Sequence, residues 1–147
     1  MNPNDPLRAV VGDLGTLVPM FSSHRSDAAP VTNPIWMAPE LIARKPYNGS
    51  VDIYSFGIIM WELATREFPF TDLSSESLVD DKPVLRKAIA EEGLRPPIPA
   101  TCVLGKEYAE LMQQCWDQDP NRRPSFDTVV IELIKIKNEM AKSSAKE

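Results

Sequence analysis

Apolar positions cluster into a few dense stretches separated by polar, proline-punctuated ones, and the spacing inside each stretch sets the expected element. Within "GSVDIYSFGIIMWELATRE", Ile53, Phe56, Ile58, Ile59, Met60 and Leu63 cover most of a helix circumference. A helix apolar nearly all round belongs in the middle of a domain. Ser50 is placed as its N-cap and Asp52 in its first turn, where a carboxylate suits the positive end of the helix dipole. Pro69 in "REFPF" stops it. A weaker helix is expected from Val84 to Glu92, with Leu85, Ala88 and Ile89 on one side. Tyr108, Leu111, Met112, Cys115 and Trp116 fall at i, i+3, i+4, i+7 and i+8, a clean amphipathic helix. "DQDPNRRPS" ends that helix and starts another, with Ser125 as N-cap and Phe126, Val129, Val130, Leu133 and Met140 lining it.

The remaining segments lack helical period. "LRAVVGD" is a short apolar run bounded by Gly, which suits a strand. From Thr16 to Asn33 the chain is punctuated by Ser, Pro and Asp and reads as a long loop, of the kind that carries function or disorder in compact domains. "LRPPIPATC" is a proline-rich extended link, and the polar tail "AKSSAKE" is expected to fray. There is no internal repeat. The pattern gives a mainly α domain with one strand and one long loop at its front.

Composition narrows the setting. A chain of 147 residues with 43% hydrophobic content supports one compact domain with its own core. A net charge of −5 disfavours nucleic-acid and anionic-membrane partners, which bind through clustered Lys and Arg. Cys102, Cys115 and the single His24 have no zinc-like spacing. The two cysteines are read as buried, reduced thiols in preference to a disulfide. No secretory signal is visible, and the most apolar segment, "IYSFGIIMWELA", is too short to span a bilayer and contains Glu62. A soluble, cytoplasmic protein is the expectation.

One short stretch carries candidate chemistry. In "VVGDLG", Asp13 follows a β-branched run and sits between Gly12 and Gly15. Spacing alone admits a surface Asx turn or a carboxylate brought sharply up to a metal by flexible backbone.

Four motifs in order, "GDLG", "WMAPE" at 36–40, "DIYSFG" at 52–57 and "CWDQDPNRRPSF" at 115–126, resemble the C-terminal lobe of a eukaryotic protein kinase. The phrases "YSFGIIMWEL" and "EEGLRPPIP" are most similar to the tyrosine-kinase-like serine/threonine kinases, the branch with Raf-like, mixed-lineage and Roco-type members. The resemblance implies a kinase-like C-lobe: a lead-in strand over 1–12, an activation segment over 13–40, a helical lobe with a buried central helix over 41–141 and a frayed tail over 142–147. It implies ATP-dependent phosphoryl transfer to protein Ser/Thr in signalling, with ATP and Mg²⁺ as the family's cofactors. Asp13 then becomes the metal ligand and nucleotide-binding carboxylate, since Mg²⁺ is a hard cation that takes carboxylate oxygens. Leu14 stands where the family usually has Phe, so an apolar residue is kept with a different shape.

The same resemblance assigns further roles. Ser22, Ser23, Ser26 and Thr32 are candidate phosphosites, because phosphate can order such a loop against arginines. Asn33 stands where many relatives carry a Thr that touches the catalytic loop. Glu40 is expected to pair with Arg123, with Arg122 the neighbouring alternative. Asp52 is expected to accept hydrogen bonds from the catalytic-loop backbone, its rival reading being a plain first-turn acid. Trp36, Trp61 and Trp116 are read as core and groove-lining aromatics.

Other parts of a kinase are not in these residues. There is no G-x-G-x-x-G before "DLG", no V-A-I-K and no H-R-D-x-x-x-x-N, and only twelve residues precede Asp13. Asn2 and Asn4 lie near the expected catalytic-loop Asn but in no such motif. No catalytic base is therefore assigned, binding of ATP and Mg²⁺ by this stretch alone is placed in doubt, and the chain by itself is expected to be inactive. Its expected partner is a protein substrate or an N-terminal kinase half, with no nucleic acid and no membrane. A pseudokinase-like scaffold that binds other proteins is the alternative, and a helical domain with chance motifs is a third reading. Without a catalytic loop and its supporting helix, the central helix is expected to leave an apolar face uncovered.

Overall fold

The computed structural model of the chain describes residues 9–12, 33–71, 82–99 and 102–144. These form five α-helices: α1 (Pro39–Ile42), α2 (Ser50–Thr65), α3 (Lys82–Glu91), α4 (Lys106–Cys115) and α5 (Phe126–Ser144), with a 3-10 turn at Pro120–Arg122 before the last. Helix α2 is the spine. It packs along α4, α4 carries α5, and α1 lies against α3.

Gly57 makes the α2–α4 contact. A Cβ built there would sit 3.0 Å from Cys115 Cβ and 3.1 Å from the Trp116 backbone nitrogen. Only a residue without a side chain lets the two backbones approach this closely. On either side of this crossing Tyr54, Ile58, Met60 and Trp61 from α2 meet Met112, Cys115 and Trp116, and Leu85 and Ile89 from α3 complete the core. Tyr108 reaches across from α4 and donates its hydroxyl to the Met60 carbonyl at 3.0 Å.

The ends of α2 differ from the expectation in one respect. Gly49, not Ser50, holds the N-cap place. The Asn48 side-chain oxygen accepts the Ser50 N–H at 2.9 Å, so the cap comes from one residue earlier and Ser50 is the first helical residue. At the other end Arg66 takes a left-handed conformation (φ 60°) and donates its N–H to Glu62 O at 2.8 Å, which closes the helix before Pro69 is reached. Helix α5 starts as expected: Ser125 Oγ accepts the Thr128 N–H at 3.2 Å.

Three further expectations need correction. Residues 9–12 are not a strand, and Val10 and Val11 are 78% and 89% exposed. A strand needs a ladder to join, and no other strand exists among the described residues. The apolar lining of α5 splits: Val129 is buried and Leu133 half-buried, but Phe126, Val130 and Met140 face solvent, because α4 covers only one stripe of a helix apolar on several sides. Helix α5 also continues to Ser144, into the stretch expected to fray from residue 142.

On α2, Ile59 is 42% and Leu63 64% exposed, and on α5 Val130 and Ile134 are each 53% exposed. Phe56 and Phe126 meet edge to face at 5.8 Å between these two helices.

Candidate functional site

The residues of "WMAPE" and the "RRP" turn are brought together by one ion pair. Glu40 sits in the first turn of α1 and is 6% exposed; the Arg123 side chain is fully enclosed. The guanidinium grips the carboxylate with both prongs, Nη1 to Oε1 at 2.7 Å and Nη2 to Oε2 at 2.9 Å. It also donates from Nη1 to the Ser50 carbonyl at 3.0 Å and from Nε to the Asp117 carbonyl at 2.9 Å. A planar fork is the side chain suited to this set of acceptors, which belong to α1, α2 and the turn after α4. Arg122 is left on the surface, 3.9 Å from Asp117.

Tyr54 lies beneath this pair. Its ring has Arg123 at 5.2 Å and Arg95 at 4.8 Å, both within cation–π range. Its hydroxyl is buried with no partner among the described residues, and burial pushes its pKa up to about 12. Arg95 donates from Nε to the Trp116 carbonyl at 3.0 Å, from Nη1 to Leu94 O at 2.7 Å and from Nη2 to Gln118 Oε1 at 2.6 Å. Partial burial, and repulsion from Arg123, lower its pKa. Neither Tyr54 nor Arg95 stood out in the sequence. The signal that could have found Arg95 is its place before Pro96 and Pro97, in extended backbone that cannot coil away from the core.

The segment preceding α1 is held over α2. Ser55 Oγ donates to the Trp36 carbonyl at 2.7 Å, the Trp36 indole N–H to Glu62 Oε2 at 3.0 Å, and the Trp36 ring meets Phe68 edge-on at 5.7 Å. Asn33 is exposed at its start and accepts the Ile35 N–H at 3.3 Å. Trp36 is half-buried, while Trp61 and Trp116 are buried in the core. Trp61 donates its indole N–H to the Pro97 carbonyl at 2.7 Å.

The other named residues stand apart from this frame. Asp52 is exposed in the first turn of α2, with its carboxylate pKa raised by the protein atoms crowding one side. Its side chain takes no hydrogen bond from the described residues. Asp13 with Leu14 and Gly15, and Ser22, Ser23, Ser26 and Thr32, lie outside the described residues, as does His24. Cys115 is a buried free thiol whose pKa burial pushes up to about 11, and Cys102 is free and half-buried. Among the described residues no three donor side chains converge to hold a metal ion, and Asp13, the expected Mg²⁺ ligand, lies outside them. No helix among them is long and apolar enough to cross a membrane.

The "WMAPE" segment, the glycine-tight central helix and the "RRP" guanidinium tied back to both are joined into one helical lobe. Residues 5–133 match the family described as protein tyrosine and serine/threonine kinase. The chain is 39% identical over 132 residues to the serine/threonine/tyrosine-protein kinase HT1 of Arabidopsis thaliana, covering 90% of this chain and 31% of that protein. It is 38% identical over 130 residues to the dual specificity protein kinase shkD of Dictyostelium discoideum, covering 88% of this chain and 16% of that one. A third relative, the probable serine/threonine-protein kinase roco8 of the same organism, is 38% identical over 142 residues, 93% of this chain and 7% of the relative. The chain belongs to the protein kinase family, as a mainly helical C-lobe of the tyrosine-kinase-like type. It spans less than a third of the length of these relatives.

Proposed function

We propose that these residues form the substrate-facing half of an ATP-dependent protein kinase that phosphorylates Ser or Thr in a signalling role in the cytoplasm, and that they do not transfer phosphate alone. The observation that carries the reading is the Glu40–Arg123 clasp, which holds the end of the "WMAPE" segment against the helical core. Phosphoryl transfer depends on positioning and on charge around the γ-phosphate. Asp13 is the one residue here assigned to that task, as a magnesium ligand. The Gly-rich loop, the strand Lys and the H-R-D loop that would complete the site do not occur in the 147 residues. Ser22, Ser23, Ser26 and Thr32 are the proposed sites at which phosphate would order the activation segment.

A radiolabelled phosphotransfer assay on the purified chain tests this: no transfer to itself or to a protein substrate is expected. Turnover that disappears in Asp13→Ala would overturn the inactive half of the proposal. A second reading, a non-catalytic scaffold, is favoured by the exposed apolar residues Ile59 and Leu63 on α2 and Val130 and Ile134 on α5, which suit a protein partner. The coding DNA ahead of Met1 separates the two. An in-frame Gly-rich loop, Lys and H-R-D support the kinase, and an in-frame stop supports the scaffold.

A further inference from the structure

Asn48, which caps α2, is the only asparagine of the chain followed by glycine. Asn33 precedes Pro34, which has no N–H, and Asn121 and Asn138 precede Arg122 and Glu139. The backbone nitrogen after an asparagine can attack the side-chain amide where it reaches Cγ, and glycine puts no Cβ in the way. Gly49 holds no conformation that requires glycine: its φ is −61° and its ψ −10°, and a Cβ built on it meets nothing within 4 Å. It is exposed, and its N–H makes no hydrogen bond among the described residues. Asn48 is half-buried. Its Oδ1 accepts the Ser50 N–H at 2.9 Å, while its Nδ2 makes no hydrogen bond among the described residues. The nucleophile is therefore unspent and the leaving nitrogen is held by nothing. The carbonyl oxygen between them has a backbone donor at the positive end of α2, which stabilises the negative charge that grows as the nitrogen adds.

We propose that Asn48 is a site of spontaneous deamidation in the folded chain, and that its isoaspartate product loosens the start of α2 from the Arg123 clasp. The Gly49 nitrogen gives its proton to solvent and bonds to Asn48 Cγ. Nδ2 takes a proton and leaves as ammonia, which closes a cyclic imide. Solvent water then opens the ring. Attack at Cγ leaves an aspartate, and attack at the main-chain carbonyl leaves an isoaspartate. The aspartate keeps the capping acceptor and adds a charge that suits the N-terminus of α2. The isoaspartate runs the backbone through the side chain, so one methylene is inserted ahead of Gly49. It also takes the Asn48 carbonyl, which accepts the Val51 N–H at 3.3 Å, out of the main chain. Both changes displace the first turn of α2, where the Ser50 carbonyl accepts Arg123 Nη1 at 3.0 Å. Chemistry at position 48 is thereby passed to the Glu40–Arg123 pair, whether or not the chain takes part in phosphoryl transfer.

The test ages the full chain in mildly alkaline buffer, native in one sample and unfolded in urea in another. Tryptic peptides are followed by mass spectrometry for the exchange of NH₂ for OH, and isoaspartyl methyltransferase labelling tells isoaspartate from aspartate. Position 48 should convert at least as fast in the native sample as in the unfolded one, while Asn121 and Asn138 stay intact. Gly49→Ala should leave the fold unchanged, since its Cβ has open space, and slow the conversion about tenfold or more by holding the nitrogen off Cγ. Asn48→Asp should unfold at the same urea concentration as the wild type or a higher one. The isoaspartate fraction, separated by ion exchange, should unfold at a lower one. Slower conversion in the native sample than in urea overturns the proposal, as does undiminished conversion in Gly49→Ala or equal conversion at Asn121 or Asn138. An isoaspartate fraction as stable as the wild type overturns the link to the clasp.

Discussion

Replacing Arg123 by Ala should be the most damaging single change in the described structure. The variant strands the Glu40 carboxylate, 6% exposed, without the two guanidinium donors it accepts from, and removes the Arg123 donors from the Ser50 and Asp117 carbonyls. Breaking a buried pair from one side costs about 3–5 kcal/mol, and the orphaned carbonyls put this case at the upper end. Glu40→Ala should cost less, about 3 kcal/mol, because Arg123 keeps both carbonyl acceptors and the Tyr54 face. Arg123→Lys keeps the charge but cannot span both carboxylate oxygens, so it should fall between wild type and Ala. Urea unfolding followed by tryptophan fluorescence reads all three. With a slope of about 1.5 kcal/mol/M, a loss of 3 kcal/mol moves the midpoint by about 2 M. A domain of ordinary stability, about 5–15 kcal/mol, has little left after Arg123→Ala. The decisive measurement is the double-mutant cycle. If Glu40→Leu and Arg123→Met are additive, or if Arg123→Ala costs under about 1 kcal/mol, the pair is not coupled and the argument fails.

Gly57→Ala should destabilise by about 1–2 kcal/mol: the gain of up to about 1 kcal/mol in helix propensity is outweighed by the overpacking of a Cβ against the Trp116 backbone nitrogen, which cannot move aside. A thermal melt showing a rise in Tm would contradict that. Tyr54→Phe should be neutral or stabilising by up to about 1 kcal/mol, since the hydroxyl it removes has no partner, and a loss of 2 kcal/mol or more would reveal an acceptor. Alkaline pH should unfold the domain. Burial raises Cys115 from 9.0 to about 11 and Tyr54 and Tyr108 from 10.0 to about 12, so the folded state favours their neutral forms. Their contribution is complete below pH 9 and is lost as pH rises through 9–12, by on the order of 2 kcal/mol for each group. Melting temperatures flat to pH 11 would refute this.

Helical spacing made much of the scaffold legible, because burial along α3 and α4 depends on residues a turn apart. Leu85, Ala88 and Ile89, and Tyr108, Leu111, Met112, Cys115 and Trp116, are buried as their spacing demands. The N-cap of α2 was missed because Asn48 and Ser50 are both good cap residues two positions apart, and only the path of the incoming backbone chooses between them. Residues 9–12 are not a strand because apolar β-branched residues report a preference, while a strand requires a partner, and none exists among the described residues. The Glu40–Arg123 contact was visible only through motif resemblance, since no periodicity connects residues so distant. Arg95 on Tyr54 is beyond the reach of periodicity: its place before Pro96 and Pro97 marks extended backbone, but an arginine in a proline-rich link looks solvated until another helix supplies an aromatic face.

The Glu40–Arg123 contact joins positions 83 residues apart. Closing so long a loop is entropically slow, and the contact cannot form until Arg123 has been synthesised and has left the ribosome. The early part of the chain therefore waits on the late part, and a nascent polypeptide halted anywhere short of Arg123 holds a buried acid with no counter-charge. The burial of Glu40 in α1 is thus decided by a residue that lies beyond α4, just ahead of the last helix.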